Sequence, residues 1–398
     1  MQLKVAERLI LKDITPHLVR STDTLQFAYK RNRSTLDAAV TLSHNITSSI
    51  DLGSKSYLAT FLVFSSEFNT ISRDKIINKL TELGASQWSL IWLRDYFSNR
   101  FQFIALSGKT SSLALNSWDV LQGAVLSPFL FNLYTDEIRT STNTLMIKYA
   151  DVIALGQKFN LQNDHMTLQL ALNDIAKWSE TNYLSLNTDK CNLCIFTVNQ
   201  KCLDLQQHTT LNDHNLNIVK DVKYLGVTFS SNLTWSSHIE YLYKKCLRLS
   251  FYIRRLITSK VPRSVIKKFV DSCVLPIILY ASPITMPGLL KKDITLLRRA
   301  IKLITKPSGI DYNVTCGIII DRHISECMNF CYRILNDSNH PLHIALNNTR
   351  SYGNTRRNFT HVFARTTMFY RSPIPYLARL LSDPEIEKGR LILSQMDY

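Results

Sequence analysis

The sequence predicts an α+β fold that becomes wholly helical in its second part. Up to about residue 230, short apolar runs alternate irregularly with amphipathic stretches of 3.6-residue period. From Ser236 to about Asn336 the pattern is almost entirely helical. Between these parts, Ile147–Leu155 has apolar flanks around a single carboxylate, Asp151, the pattern of a buried β-hairpin with an acid exposed at its bend. Alone, such an acid is usually just a good turn residue.

The elements follow in order. Residues 1–34 begin with a short amphipathic helix (Leu3, Val5, Leu9, Ile10) and a turn at Pro16. The basic stretch Gln26–Thr35 then leads into a helix that Ser34 or Thr35 can cap, running to about Ile50. Tyr57–Phe64 is a short apolar run, as in a central strand covered on both faces. Helices are expected over about 73–83 and 86–97, and a hairpin joins Phe101–Leu106 to Ser112–Leu115 around Ser107-Gly108-Lys109. Pro128 sits in the first turn of a helix ending near Glu137. After the Asp151 hairpin come a helix over 165–181, a strand at 193–198 and a further strand at Tyr224–Phe229.

Composition limits the function classes. The formal charge is +16, from 47 Lys and Arg against 31 Asp and Glu, which favours polyanionic partners. The excess crowds into two tracts, one holding Lys244, Lys245, Arg248, Arg254 and Arg255, the other Lys291 to Lys306. No run of about 18 apolar residues appears and the N-terminus lacks a secretory h-region, so no membrane association is expected and an intracellular site, nucleus or cytoplasm, is. The 8 cysteines are too sparse for a disulfide framework. Cys191 and Cys194 lack a second pair at zinc-ribbon spacing, and Cys327 and Cys331, near three histidines, read as buried structural thiols.

Six stretches occur in a telling order: Gln26-Phe27-Ala28-Tyr29-Lys30-Arg31-Asn32-Arg33-Ser34-Thr35, Phe61-Leu62-Val63-Phe64-Ser65-Ser66-Glu67-Phe68-Asn69, Leu121-Gln122-Gly123-Ala124-Val125-Leu126-Ser127-Pro128, Tyr149-Ala150-Asp151-Val152, Leu186-Asn187-Thr188-Asp189-Lys190-Cys191 and Tyr224-Leu225-Gly226-Val227. Together they resemble the reverse transcriptase of non-LTR, LINE-like retrotransposons of the jockey kind, over nearly the whole chain. The resemblance implies a right-hand polymerase: residual fingers (1–56), a palm with inserted fingers and helices (57–235), a helical thumb (236–310) and a C-terminal helical extension (311–398). It implies nucleotidyl transfer from a deoxynucleoside triphosphate (dNTP) to a DNA primer 3′ hydroxyl on an RNA template, with two Mg²⁺ ions held by three carboxylates. By the same resemblance, Asp151 is the metal ligand and catalytic centre and Lys190 protonates the leaving pyrophosphate. Phe68, Gln122 and Gly123 meet the nucleotide, Arg33 contacts the triphosphate, and Lys244, Lys245, Arg248, Arg254 and Arg255 grip the nucleic acid backbone.

The chain departs from the family pattern where the chemistry is concentrated. The first palm aspartate is Val63 and the second hairpin aspartate is Val152, so Asp151 alone remains of the three. Valine cannot ligate a hard cation. Each ion supplies several kcal/mol of charge stabilisation, so losing one costs on the order of 10³-fold in rate. Glu67 and Asp119 are not expected to substitute. Leu121 also replaces a proline, Lys30 replaces an arginine, and the chain begins inside the fingers, as expected of a truncated and degenerate copy. Two readings stand: an RNA-directed DNA polymerase, and a non-catalytic nucleic-acid-binding remnant of one.

Overall fold

The computed structural model describes residues 2–18, 23–65, 71–98, 100–115, 123–160, 162–198, 209–349 and 362–385. Helices α1 (Gln2–Leu18) and α2 (Thr35–Asp51) come first, then strand β1 (Ser56–Val63), α3 (Arg73–Glu82) and α4 (Gln87–Phe97). An exposed hairpin arm follows: β2 (Phe101–Gln102) pairs with β5 (Ala114–Leu115), and β3 (Ala105–Leu106) with β4 (Lys109–Thr110). After α5 (Ser127–Thr135) come the central hairpin β6 (Leu145–Tyr149) and β7 (Val152–Phe159), α6 (Gln162–Thr181) and β8 (Asn192–Phe196). Short strands β9 (Thr210–Leu211), β10 (His214–Asn215) and β11 (Asn217–Ile218) precede β12 (Asp221–Tyr224) and β13 (Val227–Ser230).

Five strands make the main sheet, in the order β11-β8-β1-β7-β6, with β1 at its centre and antiparallel to both neighbours. Side chains alternate across a strand, so β1 feeds two cores. Leu58 and Leu62, with Ile153, Leu155, Leu193 and Ile195, point into a core beneath α1 and α3 to α6. Tyr57, Ala59 and Phe61, with Ala154, Cys194 and Phe196, face α2 and helices from the far end of the chain. Burial on both faces explains why β1 reads as an unbroken apolar run rather than an alternating one.

The second part is a helical bundle. Helices α7 (Ser236–Thr258), α8 (Arg263–Phe269), α9 (Leu275–Leu279), α10 (Ser282–Thr285) and α11 (Lys291–Ser308) are followed by α12 (Tyr312–Leu335). Cys316 and Ile319 at the start of α12 belong to the bundle core, whereas Cys327, Phe330, Cys331 and Ile334 belong to the core under the sheet. One helix thus ties the two parts together. The short helices α13 (His343–Asn347), α14 (Thr367–Tyr370) and α15 (Pro373–Ser382) complete the cover of the sheet. Among the described residues no single helix is long and apolar enough to cross a membrane.

Two sequence expectations need correction. Helix α1 does not turn at Pro16 but runs through it to Leu18, because a proline near a helix end gives up one hydrogen bond without breaking the preceding turns. Its buried residues are Glu7, Ile10 and Ile14, while Leu3, Val5 and Leu9 are exposed. The stretch Tyr224–Phe229 is not one strand. Leu225 (φ 46°) and Gly226 (φ 84°) are both left-handed, and Tyr224 pairs with Val227 across a two-residue turn. A Cβ on Gly226 would lie 2.9 Å from the Tyr280 ring, so glycine is required there twice over.

Candidate active site

Strand register brings the motifs together. Val63 ends β1 and lies directly opposite Val152, the first residue of β7. Tyr149 pairs with Val152 around a two-residue bend in which Ala150 is left-handed (φ 51°), leaving Asp151 at the tip of the hairpin. The Phe64 N–H donates to the Asp151 carbonyl (3.0 Å), fixing the end of β1 to that tip. From the other side, the Asn187 N–H donates to the Val63 carbonyl (2.8 Å) and the Ser65 N–H to the Ser185 carbonyl (2.8 Å). Three stretches far apart in sequence therefore meet at one end of the sheet. Lys190 closes a single 3-10 turn over Thr188–Lys190, is exposed, and has its N–H capped by the Asn187 side chain.

The hairpin is anchored on its outer edge by a buried cation. Lys148 is 1% exposed, and its ammonium pairs with Asp23 and donates to the Thr135 carbonyl (3.1 Å). Burial lowers the pKa of Lys148 below its usual value, and the Asp23 charge offsets only part of that. Beside this pair, the Phe27 N–H donates to the Lys148 carbonyl (2.9 Å) and the Lys148 N–H to the Leu25 carbonyl (2.9 Å), so residues 25–27 lie along β6. The start of the basic stretch is thereby docked on β6, on the hairpin that carries Asp151.

Its end is held by the last part of the chain. Asp37, fully buried, accepts from the Ser34 N–H (2.7 Å), faces His340 Nε2 (2.8 Å) and pairs with Arg333 (3.2 Å). Burial alone would raise the Asp37 carboxyl, but the His340 and Ser34 hydrogen bonds and the Arg333 charge hold it below the usual carboxylate range. Arg33 is engaged as well: its guanidinium pairs with Asp337 (2.6 Å) and donates to the Asn339 carbonyl (3.2 Å), with the side chain 8% exposed. The structure thus commits Arg33 to the loop after α12. Tyr280, which no motif in the sequence marks, donates to the Leu225 carbonyl and shares a hydrogen bond with the Thr35 hydroxyl (3.1 Å), linking the bundle to the 225–226 turn and to the start of α2.

Gly123 is exposed, has φ +83°, and nothing lies within 4 Å of where a Cβ would stand. Gln122, Phe68, Glu67 and Asp119 lie outside the described residues. On α7, Arg248, Arg254 and Arg255 are exposed, Lys244 pairs with Glu240 (2.8 Å) and Lys245 lies over the Tyr241 ring (4.9 Å). Phe251 and Tyr252 are exposed among these charges, an aromatic element that the charge pattern alone does not reveal. Cys191, Cys194, Cys327 and Cys331 are buried free thiols, and burial pushes Cys194 up to about 12.

A family model described as reverse transcriptase (RNA-dependent DNA polymerase) matches residues 1–229, more than half of the 398-residue chain. The chain belongs to that family. Its right-hand polymerase fold is the one expected from the motifs. Relatives include the probable RNA-directed DNA polymerase from transposon BS of Drosophila melanogaster, 26% identical over 70% of this chain and 32% of that protein. The RNA-directed DNA polymerase from mobile element jockey of the same organism is 24% identical over 59% of this chain and 26% of that protein. A Pol polyprotein from the type-1 retrotransposable element R2 of Popillia japonica is 24% identical over 64% of this chain and 43% of that protein. The chain thus spans less than half the length of each. Among solved structures, telomerase from Candida albicans with a fragment of telomeric RNA aligns at 11% identity and a TM-score of 0.39, over 88% of this chain and 59% of that one.

Family polymerases generally work with divalent metal. Hard divalent cations need several oxygen ligands. At the sheet end Asp151 is flanked by two apolar side chains, Val63 and Val152, that face each other across the strands. Among the described residues no group of three or more His, Cys, Asp or Glu side chains converges to hold an ion. The residues described at this end do not fit a two-metal centre.

Proposed function

We propose that this chain is a reverse transcriptase domain that keeps the grip on an RNA template and DNA primer and lacks metal-dependent transfer of a dNTP. The observation that carries this reading is the direct opposition of Val63 and Val152 beside Asp151. Two of the three positions that Mg²⁺ would use offer only hydrocarbon. Removing ligands for either ion sacrifices several kcal/mol of charge stabilisation in the transition state, on the order of 10³-fold or more in rate. The grip depends on other features: the charge of +16, the exposed arginines of α7 with Phe251 and Tyr252 between them, and the open backbone at Gly123. None of these requires a metal.

The experiment is equilibrium binding of a fluorescent RNA–DNA primer–template, read by anisotropy in Mg²⁺ and in EDTA at equal ionic strength. The expected result is tight binding that chelation leaves unchanged to within about twofold, with log K falling linearly against log salt. Binding that collapses in EDTA would mean that the site does hold metal. An absence of binding at low salt would end the reading of this chain as a nucleic acid grip.

A further inference from the structure

We propose that Glu7, on α1, is a positioning residue for the Gly123–Val125 loop, fixing the backbone that approaches the nucleotide; this rests on the reading of Gly123 given above. Glu7 is 1% exposed, on a helix whose neighbouring Val5 and Leu9 are 54% and 57% exposed. An acid inside and hydrophobes outside reverse what packing selects. The buried carboxyl is used: Glu7 Oε2 accepts from the Val125 N–H (2.5 Å), and Oε1 accepts from the Tyr96 hydroxyl (3.3 Å). The loop therefore has one anchored side and one open side. At Gly123 the left-handed backbone is bare to solvent, and two residues later the N–H is pinned by the acid. Beyond Val125 the chain enters α5, with Pro128 in its first turn, so the segment between helix and glycine has little freedom of its own. A backbone N–H on a carboxylate is among the stronger hydrogen bonds, as befits a contact that holds a loop against a bound ligand.

The test uses Glu7→Leu, Glu7→Gln and, as a control that removes only the other donor, Tyr96→Phe. The first readout is amide hydrogen exchange of residues 123–126 in the otherwise unaltered chain. Glu7→Leu is expected to speed it by roughly tenfold and Glu7→Gln, a neutral acceptor, by about threefold. Tyr96→Phe is expected to leave it unchanged. The second readout places the same changes in a Val63→Asp plus Val152→Asp background and measures extension. There Glu7→Leu is expected to raise KM for dNTP about tenfold, with the primer–template Kd unmoved. Unchanged exchange in both Glu7 variants overturns the proposal. So does accelerated exchange spread evenly over α1, α4 and the loop, which would make Glu7 only a packing residue. Faster loop exchange with unaltered KM overturns the link to the nucleotide. Should the Val63→Asp plus Val152→Asp chain not extend primers at all, the fault lies with the functional reading, and the exchange arm still decides whether Glu7 positions the loop. If Glu7→Leu does not fold, the Glu7→Gln exchange rate decides in its place.

Discussion

Lys148→Met removes the ammonium that pairs with Asp23 beside residues 25–27 on the β6–β7 hairpin and leaves the chain's shape otherwise intact. The Asp23 carboxylate, whose side chain is 9% exposed, then loses its buried partner, and the Thr135 carbonyl loses a donor. Breaking one side of a buried ion pair typically costs about 3–5 kcal/mol. Arg139, 3.8 Å from Asp23 but 52% exposed, remains and offsets about a fifth of this as a partly solvated pair. The expected net loss is about 2–4 kcal/mol. Removing both charges with Lys148→Met plus Asp23→Leu is expected to recover most of it, since no charge is then left buried alone. The assay is a urea unfolding series on the two single variants and the double, analysed as a thermodynamic cycle. Amide exchange at Phe27, whose N–H bonds to the Lys148 carbonyl, reports locally on the docking. A loss below about 1 kcal/mol for Lys148→Met, or additivity within about 0.5 kcal/mol, would refute the role given to this pair.

Further expectations follow from the same geometry. Gly226→Ala places a Cβ against the Tyr280 ring on a left-handed backbone (φ +84°), and should cost roughly 2 kcal/mol in urea unfolding; a neutral result would contradict the turn described. His44, His238 and His323 are each held down to about 4 by burial, so between pH 6.5 and about 4 the unfolded chain binds protons that the folded one refuses. Stability is then full above pH 6.5 and falls as pH drops towards 4, by up to about 1.4 kcal/mol per unit for each histidine. Unfolding curves at stepped pH measure that slope, and a flat profile from 6.5 to 4.5 would be inconsistent with the three buried rings. Replacing Arg248, Arg254 and Arg255 by Ala should weaken primer–template binding and reduce the salt slope by about 0.9 for each phosphate no longer neutralised. Unchanged affinity at low salt would move the grip off α7.

Much of this was legible in the sequence. Periodicity placed β1, α3, α4 and α6 nearly as they stand, because each buries a pattern set by its own neighbours, and the Ser107-Gly108-Lys109 turn marked the 101–115 hairpin, which is exposed. The meeting of Val63 with Val152 was foreshadowed by the order of the motifs, although only strand pairing supplies the register. The interactions that steady the site were not readable. Asp37 meets His340 across 303 residues, Tyr280 meets Leu225 and Thr35, and Glu7 meets Val125 across 118. A lone polar residue carries no period, and nothing local marks which distant backbone it serves. The 225–226 turn was hidden for a different reason: Tyr224 and Leu225 before the glycine and Val227 and Phe229 after it are apolar, so the stretch reads as one strand through it.

The most direct measurement is primer extension on an RNA template with Mg²⁺, comparing the unaltered chain with the Val63→Asp plus Val152→Asp variant at matched primer–template occupancy. The variant is expected to extend, and the unaltered chain to be slower by about 10³-fold or more. Comparable extension by the unaltered chain would contradict it and require that another carboxylate hold the metal.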